Sequence, residues 1–259
     1  MITMKGAAVS AKLKEQVEKG LETLTWVPKL TIIRVGENPD DISYEKGATK
    51  KLTSFGLEVE SKVFPGDISD EAFKKEFAAI NADASVDGIL MLRPLPKQIN
   101  EQDIEKMIDP AKDLDGISPV NIAKVFSGDT SGFAPCTAEA VVCMLKMNDI
   151  ALSGKRVAVV GRSMVVGRPL SMLLLHENAT VTICHSRTAS LPEVCREADI
   201  LTACVGKAAM INHTYVKKDA VVIDVGINVD ENGKLCGDVD FAGVEPIASY
   251  ITPVPGGVG

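Results

Sequence analysis

Leu13, Val17, Leu21 and Leu24 recur at helical spacing among Lys, Glu and Gln, which predicts an amphipathic helix over residues 10–24. The apolar run LTIIRV (30–35) follows as a buried strand. Residues 41–55 read as a polar helix that stops at Gly56, a residue suited to a helix C-terminus. LEVESKVF (57–64) alternates with period two, residues 70–84 return to helical spacing, and DGILML (87–92) is again strand-like. The order β-α-β-α-β predicts a parallel sheet covered by helices.

RPLPKQ (93–98) breaks this rhythm, and DPAKDLDG (109–116) reads as a polar, turn-rich loop after a short helix. FAPCT (133–137) opens a helix over 138–147. After Ser153-Gly154 the pattern restarts with the strand KRVAVVG, a helix over 166–175, the strand ATVTICH, a helix near 192–197, and the strands DILTACVG and DAVVIDVG. The fold class is therefore α/β with two α/β domains. The boundary is placed at 136, giving a first domain over 1–136 and a second α/β domain over 137–259. No internal repeat or low-complexity tract appears.

Composition narrows the function. A chain of 259 residues with 46% hydrophobic positions is globular. A net charge of −7 argues against a nucleic-acid surface, which needs concentrated positive charge. Six scattered cysteines without CxxC read as reduced core thiols of a cytoplasmic protein. The three histidines have no metal-ligand spacing, so no metal is expected. No apolar run approaches the roughly 20 residues of a membrane span, and the first residues lack a signal-peptide pattern.

The segment VAVVGRSMVVGRP (157–169) combines a strand, a glycine turn and a helix start. Gly161 permits the turn, and Gly167 permits close packing where the helix N-terminus can hold a pyrophosphate. Ser163 takes the middle glycine place and the spacing is wider than G-x-G-x-x-G, so taken alone the stretch fits a plain strand–turn–helix equally well. The next strand ends at HSRT (185–188). An NAD site usually carries an acidic residue there for the ribose 2′-hydroxyl. Ser186 and Arg187, with Arg162 in the glycine turn, suit a 2′-phosphate instead, which favours NADP over NAD; a merely solvated Arg187 is the alternative.

VGENPDDISY, PLPKQIN, KDLDG, FAPCT, VVGRSMVVGRP, ATVTICHSRT, VIDVGIN, GDVDF and ITPVPGGVG occur in this order across nearly the whole chain. Together they closely resemble the methylenetetrahydrofolate dehydrogenase/cyclohydrolase family. The resemblance implies an N-terminal folate-binding domain, a Rossmann-like NADP-binding domain, a tetrahydrofolate substrate in the cleft between them, residues 250–259 returning to that cleft, and a homodimer. It implies two reactions: hydride transfer from 5,10-methylenetetrahydrofolate to the nicotinamide, then hydration of the methenyl product to 10-formyltetrahydrofolate. Residue by residue, Tyr44 matches the tyrosine at the reaction site and Asp115 the aspartate that grips the pterin. Pro253, Gly256 and Gly257 match the loop beside the folate. Gly161, Arg162, Ser163, Gly167, Ser186 and Arg187 match the cofactor loops. Read without the resemblance, Asp113 and Asp115 are loop-capping residues and Tyr44 a helix-surface aromatic.

The chain departs from the family where hydration is concerned. The family lysine four residues after the tyrosine falls at Ala48, and the glutamine that hydrogen-bonds it falls at Leu92. The expectation is a dehydrogenase with weak or absent cyclohydrolase activity. Lys51, seven places after Tyr44, returns toward the same helix face and is the candidate catalytic substitute; its stem reaches toward Ala48 from a turn away. Arg93 offers charge but is a poor proton carrier. Asp40 and Asp41 replace Ala-Ser, with Asp41 expected to cap the helix; Ser118 replaces a histidine, and CTAEA replaces CTPxG. Family members usually continue past PVPGGVG into a helix that returns to the first domain, whereas this sequence stops at Gly259. Rival readings are a shikimate- or amino-acid-type dehydrogenase, a non-catalytic folate-binding protein, and a fully bifunctional enzyme.

Overall fold

A computed structural model describes all 259 residues. The chain divides into two compact units, residues 12–134 and residues 1–11 with 135–259.

The 12–134 unit is built on a three-stranded parallel sheet, order β3-β2-β4, of β2 (Lys29–Val35), β3 (Glu58–Phe64) and β4 (Gly88–Met91). The helices are α2 (Pro39–Ser54), α3 (Asp70–Ala82), α4 (Glu101–Met107) and α5 (Pro119–Ser127), preceded by most of α1 (Gly6–Leu21). Side chains alternate across a strand. Ile33 and Val35 of β2 therefore enter the core with Phe73 and Phe77 of α3, Ile89 and Met91 of β4, and Ile104 of α4. Arg34 points to the opposite face, toward α2. That helix has no fully buried residue.

The expected cap of α2 at Asp41 is corrected. Asn38 caps the helix, its Oδ1 accepting from Asp40 N at 3.0 Å, and Pro39 stands in the first turn, where a missing N–H costs nothing. Asp41 lies inside the first turn, where its charge still faces the positive helix end.

The other unit carries a six-stranded, all-parallel sheet, order β1-β11-β8-β7-β5-β6. Its strands are β1 (Ile2–Thr3), β5 (Arg156–Val160), β6 (Thr180–Cys184), β7 (Ile200–Ala203), β8 (Val221–Asp224) and β11 (Tyr250–Ile251). A hairpin of β9 (Asn228–Val229) and β10 (Leu235–Cys236) follows β8. The helices are α6 (Cys136–Met147), α7 (Gly167–His176), α8 (Leu191–Arg196) and the short α9 (Phe241–Val244), with a 3-10 turn at His213–Tyr215. One sheet face packs Ala158, Val160, Leu201, Ala203 and Val222 against Cys195, Ala198 and Val244.

Chain order reverses beside β5: the chain goes to β6 on one side and then to β7 on the other. The C-terminal ends of β5 and β7 thus flank the switch point at which open α/β sheets bind ligands. All six cysteines are free, with Cys184 and Cys195 buried. No helix is long and apolar enough to cross a membrane.

Candidate functional site

In the 12–134 unit, Leu92 and Asp115 lie at the C-terminal edge of the small sheet. Leu92 follows β4 directly, is buried, and its N–H bonds Ile33 O at 2.9 Å. Because Ile33 pairs with Met91, Arg34 and Leu92 are next in register. The parallel bridge between Ile89 and Asp113 runs residues 112–114 alongside β4, which brings half-buried Asp115 to the same edge.

Asp113 is the residue that shapes this loop. It is fully buried, and its carboxylate accepts from Ile117 N (3.0 Å), Ser118 N (2.8 Å) and Asn121 Nδ2 (2.9 Å). Ser118 then caps α5 by accepting from Asn121 N at 3.1 Å. The position where the family often has histidine is therefore a buried helix cap.

Tyr44 stands on the outer side of α2, 59% exposed, and Ala48 is half-buried one turn further on. Lys51 is exposed in the last turn, its Nζ 5.3 Å from the Phe55 ring centroid, and so is directed along the helix away from Ala48. Arg93 is also engaged elsewhere: its Nη1 lies 3.3 Å from both Glu101 Oε1 and Glu105 Oε1. Burial pushes the Glu105 carboxyl up, partly offset by Arg93.

Arg34 Nε contacts Glu45 Oε2 at 2.5 Å, with both side chains largely buried between β2 and α2, and Arg34 Nη1 donates to Gly36 O. Burial works against the Glu45 carboxylate, but hydrogen bonds from Ser61 and Arg34 outweigh it and hold its pKa below the ordinary value.

In the other unit, Gly161 ends β5 at φ 135°. A Cβ there would collide with the Cys204 carbonyl, and one on Gly167 would collide with the Gly161 carbonyl. The β5 turn, the start of α7 and the end of β7 are thus packed backbone on backbone, a closeness only glycine permits. Ser163 Oγ accepts from Val166 N at 3.1 Å, closing the turn. Arg162, Ser186 and Arg187 are exposed on the turns that end β5 and β6. His185 organises the second of these: its N–H donates to Thr188 Oγ1, and its Nδ1 accepts from Arg187 N at 3.1 Å. Cys204 beneath Gly161 is inert, because burial pushes its thiol up to about 12, with the charge of Asp238 adding. Glycine turn, two cations and a hydroxyl fit a dinucleotide carrying a 2′-phosphate.

Pro253, Gly256 and Gly257 lie in the loop after β11. Gly6 N donates to Gly256 O at 3.0 Å, so the loop rests on the first residue of α1. Gly257 packs so closely on the Pro253 carbonyl that a Cβ would collide with it.

Two further residues at this sheet edge, Asp224 and Asp238, were named in the sequence only as parts of VIDVGIN and GDVDF. Both are buried, at 3% and 0% exposure. Burial pushes the Asp224 carboxyl up to about 6 against N–H bonds from Val239, Asp238 and Gly226. An aspartate directly followed by Val-Gly at the end of an apolar strand was the available signal.

A doubly wound parallel sheet with a glycine turn at its switch point defines a dinucleotide-binding class of protein. Residues 135–259 match the tetrahydrofolate dehydrogenase/cyclohydrolase NAD(P)-binding domain, and residues 4–115 match the catalytic domain of the same family. The bifunctional protein FolD of Carboxydothermus hydrogenoformans is 52% identical over 259 residues, covering 98% of this chain and 90% of that protein. The crystal structure of the bifunctional FolD dehydrogenase/cyclohydrolase of Campylobacter jejuni superposes with a TM-score of 0.96 at 38% identity, covering 100% of this chain and 93% of that one. The FolD of Trypanosoma brucei, complexed with NADP cofactor and inhibitor, gives 0.92 at 31% identity, covering 100% and 92%. The chain belongs to the tetrahydrofolate dehydrogenase/cyclohydrolase family.

Proposed function

We propose that the protein is an NADP-dependent 5,10-methylenetetrahydrofolate dehydrogenase, acting as a homodimer, in which hydration of the methenyl product is weak or absent. Family membership and a relative complexed with NADP support the dehydrogenase. Bound NADP supplies the hydride acceptor. The protein's part is to orient the folate and to favour the positive charge that develops on it. Asp115 is assigned to the pterin, where a carboxylate accepts two N–H bonds directionally. Tyr44 lines the reacting carbon, and Pro253, Gly256 and Gly257 form the folate-side loop. Gly161 and Gly167 admit the pyrophosphate, while Arg162, Ser186 and Arg187 select the 2′-phosphate.

Hydration needs a polarised water and a group that moves a proton. The observation that carries the reduced activity is that α2 offers only a methyl group at Ala48, while the position after β4 is the buried, apolar Leu92. The nearby cations support this reading, since Lys51 is directed to Phe55 and Arg93 is held by Glu101 and Glu105.

Reduction of NADP and NAD by methylenetetrahydrofolate, measured in parallel, tests the assignment. A higher kcat/KM with NADP, lowered toward the NAD value by Arg187→Ala, is expected. Equal use of both cofactors by the unaltered protein contradicts the specificity. No turnover with either leaves folate binding without catalysis.

A further inference from the structure

Asp238 Oδ2 accepts from Val205 N (2.6 Å) and Gly206 N (3.0 Å), and its Oδ1 accepts from Lys207 N (2.7 Å) and Asn228 Nδ2 (3.0 Å). Asp224 Oδ1 accepts from Gly226 N (2.9 Å) and Asp238 N (2.9 Å), and its Oδ2 accepts from Val239 N (2.9 Å). The Asp224 N–H donates to Thr252 Oγ1 at 2.7 Å. The surroundings are shaped to these carboxylates. A Cβ on Gly237 would collide with the Asp224 carboxylate, and one on Gly226 with that of Asp238.

The Asp238 carboxylate ties the loop after β7 (205–207) to the turn after β8 (225–228), the Asp224 carboxylate ties that turn to the segment carrying Asp238, and the Asp224 backbone N–H, through Thr252, ties β8 to the loop after β11. Both loops and the turn leave the C-terminal edge of the parallel sheet, the ligand side of this fold. The β7 loop borders the switch-point crevice. Thr252 directly precedes Pro253, and Gly257 packs on its side chain. Between them the turn after β8 carries Ile227, an apolar side chain that is 69% exposed. Burying two neighbouring carboxylates is costly, and the Asp238 charge disfavours that on Asp224. This cost is placed where loop geometry matters to ligands, and every accepting oxygen is committed to backbone or amide donors.

We infer that Asp224 and Asp238 are positioning residues for hydride transfer: they hold the cofactor-side loop after β7 in register with the folate-side loop that begins at Thr252. The inference rests on the dehydrogenase reading above. Its physical basis is that reaction rate depends steeply on the relative placement of the two reactants, a displacement of about 1 Å costing on the order of 100-fold. Affinity for either reactant alone depends on it much less.

The test compares Thr252→Val and Asp238→Asn with Asp240→Asn, a control at the cap of α9 whose carboxylate only accepts from Gly243 N. NADPH binding is followed by its fluorescence, folding by circular dichroism and melting, and turnover with NADP and methylenetetrahydrofolate. Thr252→Val and Asp238→Asn are expected to bind NADPH within about threefold of the parent and to lose roughly tenfold or more in kcat. Asp240→Asn is expected to melt earlier with kcat unchanged. Thr252→Val is isosteric and removes one hydroxyl, so it decides the matter if Asp238→Asn does not fold. A parent-like kcat in Thr252→Val overturns the inference, as does a loss of kcat that tracks melting temperature across all variants including Asp240→Asn. A parent protein that reduces no NADP overturns the dehydrogenase reading itself, and the inference with it.

Discussion

Lys51 Nζ lies over the ring of Phe55, the residue that caps the C-terminal end of α2, beyond Ala48 along the helix. Both residues are near the helix end, and Lys51 is exposed. A cation–π contact at such a site is worth about 0.5–1 kcal/mol, which would be lost if the ammonium swung back toward Ala48. Lys51→Ala is therefore expected to leave methenyl hydrolysis within about twofold of the parent and to lower stability by about 0.5 kcal/mol. Stopped hydrolysis in this variant, measured by decay of the methenyl absorbance, would return Lys51 to the catalytic role that its spacing from Tyr44 suggests.

The anchoring of α2 yields a second prediction. With no fully buried residue on the helix, the pair of Arg34 and Glu45 is its most buried tether to the sheet. Breaking a buried pair from one side strands the other charge, so Arg34→Met or Glu45→Gln alone should cost about 3 kcal/mol in denaturant unfolding. The double variant Arg34→Met/Glu45→Met should cost less than the sum of the single changes. Because the Glu45 pKa is depressed, its stabilisation is present above the ordinary carboxylate pKa and is lost as pH falls through the lowered value. Additive single and double costs would show that the two charges do not depend on each other.

The long elements were legible because each has one strong period. The three-stranded sheet, helices α1 to α4, and the β5–α7–β6–α8–β7–β8 succession follow from periodicity and local stop signals. The missed elements were short or hidden. Helix α5 lay behind Ser118-Pro119, which reads as a loop continuing from KDLDG until Ser118 is seen to cap Asn121. Strands β1 and β11 have two residues each, too few for a period, and they exist because each pairs with a distant strand. The cap of α2 was misplaced although Asn38-Pro39 carried the signal. Of the site, the glycine turn and the exposed cations were legible from local chemistry. The roles of Asp224, Asp238 and Arg34 were not, because they depend on burial and on partners brought together only by the fold.

Gly161 offers a sharp test of the switch-point geometry. Its φ of 135° is one that side chains rarely adopt, and a Cβ would press on the Cys204 backbone. Gly161→Ala is expected to destabilise the protein by about 1–3 kcal/mol and to weaken NADPH binding at least about tenfold. NADPH affinity equal to the parent's would mean that the turn after β5 does not hold the nucleotide.

Asp224 gives a pH signature. Its folded pKa, pushed up to about 6, lies above the unfolded value, so the folded state holds a proton that the unfolded state has released. The contribution favours folding below the unfolded pKa and is lost as pH rises through about 6. The parent should thus lose melting temperature relative to Asp224→Asn between about pH 4 and pH 7. A constant difference across that range would contradict the raised pKa.

The methenyl intermediate reports directly on a dehydrogenase whose hydration step is weak or gone. Purified protein is given methylenetetrahydrofolate and NADP while the methenyl absorbance is followed, beside a sample of methenyltetrahydrofolate in buffer alone. The band is expected to build as NADP is reduced and then to decay at the buffer rate. Ala48→Lys/Leu92→Gln is expected to speed that decay at least about tenfold. A methenyl band that the unaltered protein consumes much faster than buffer would contradict the loss of hydration, and would show that hydration proceeds without a lysine at position 48.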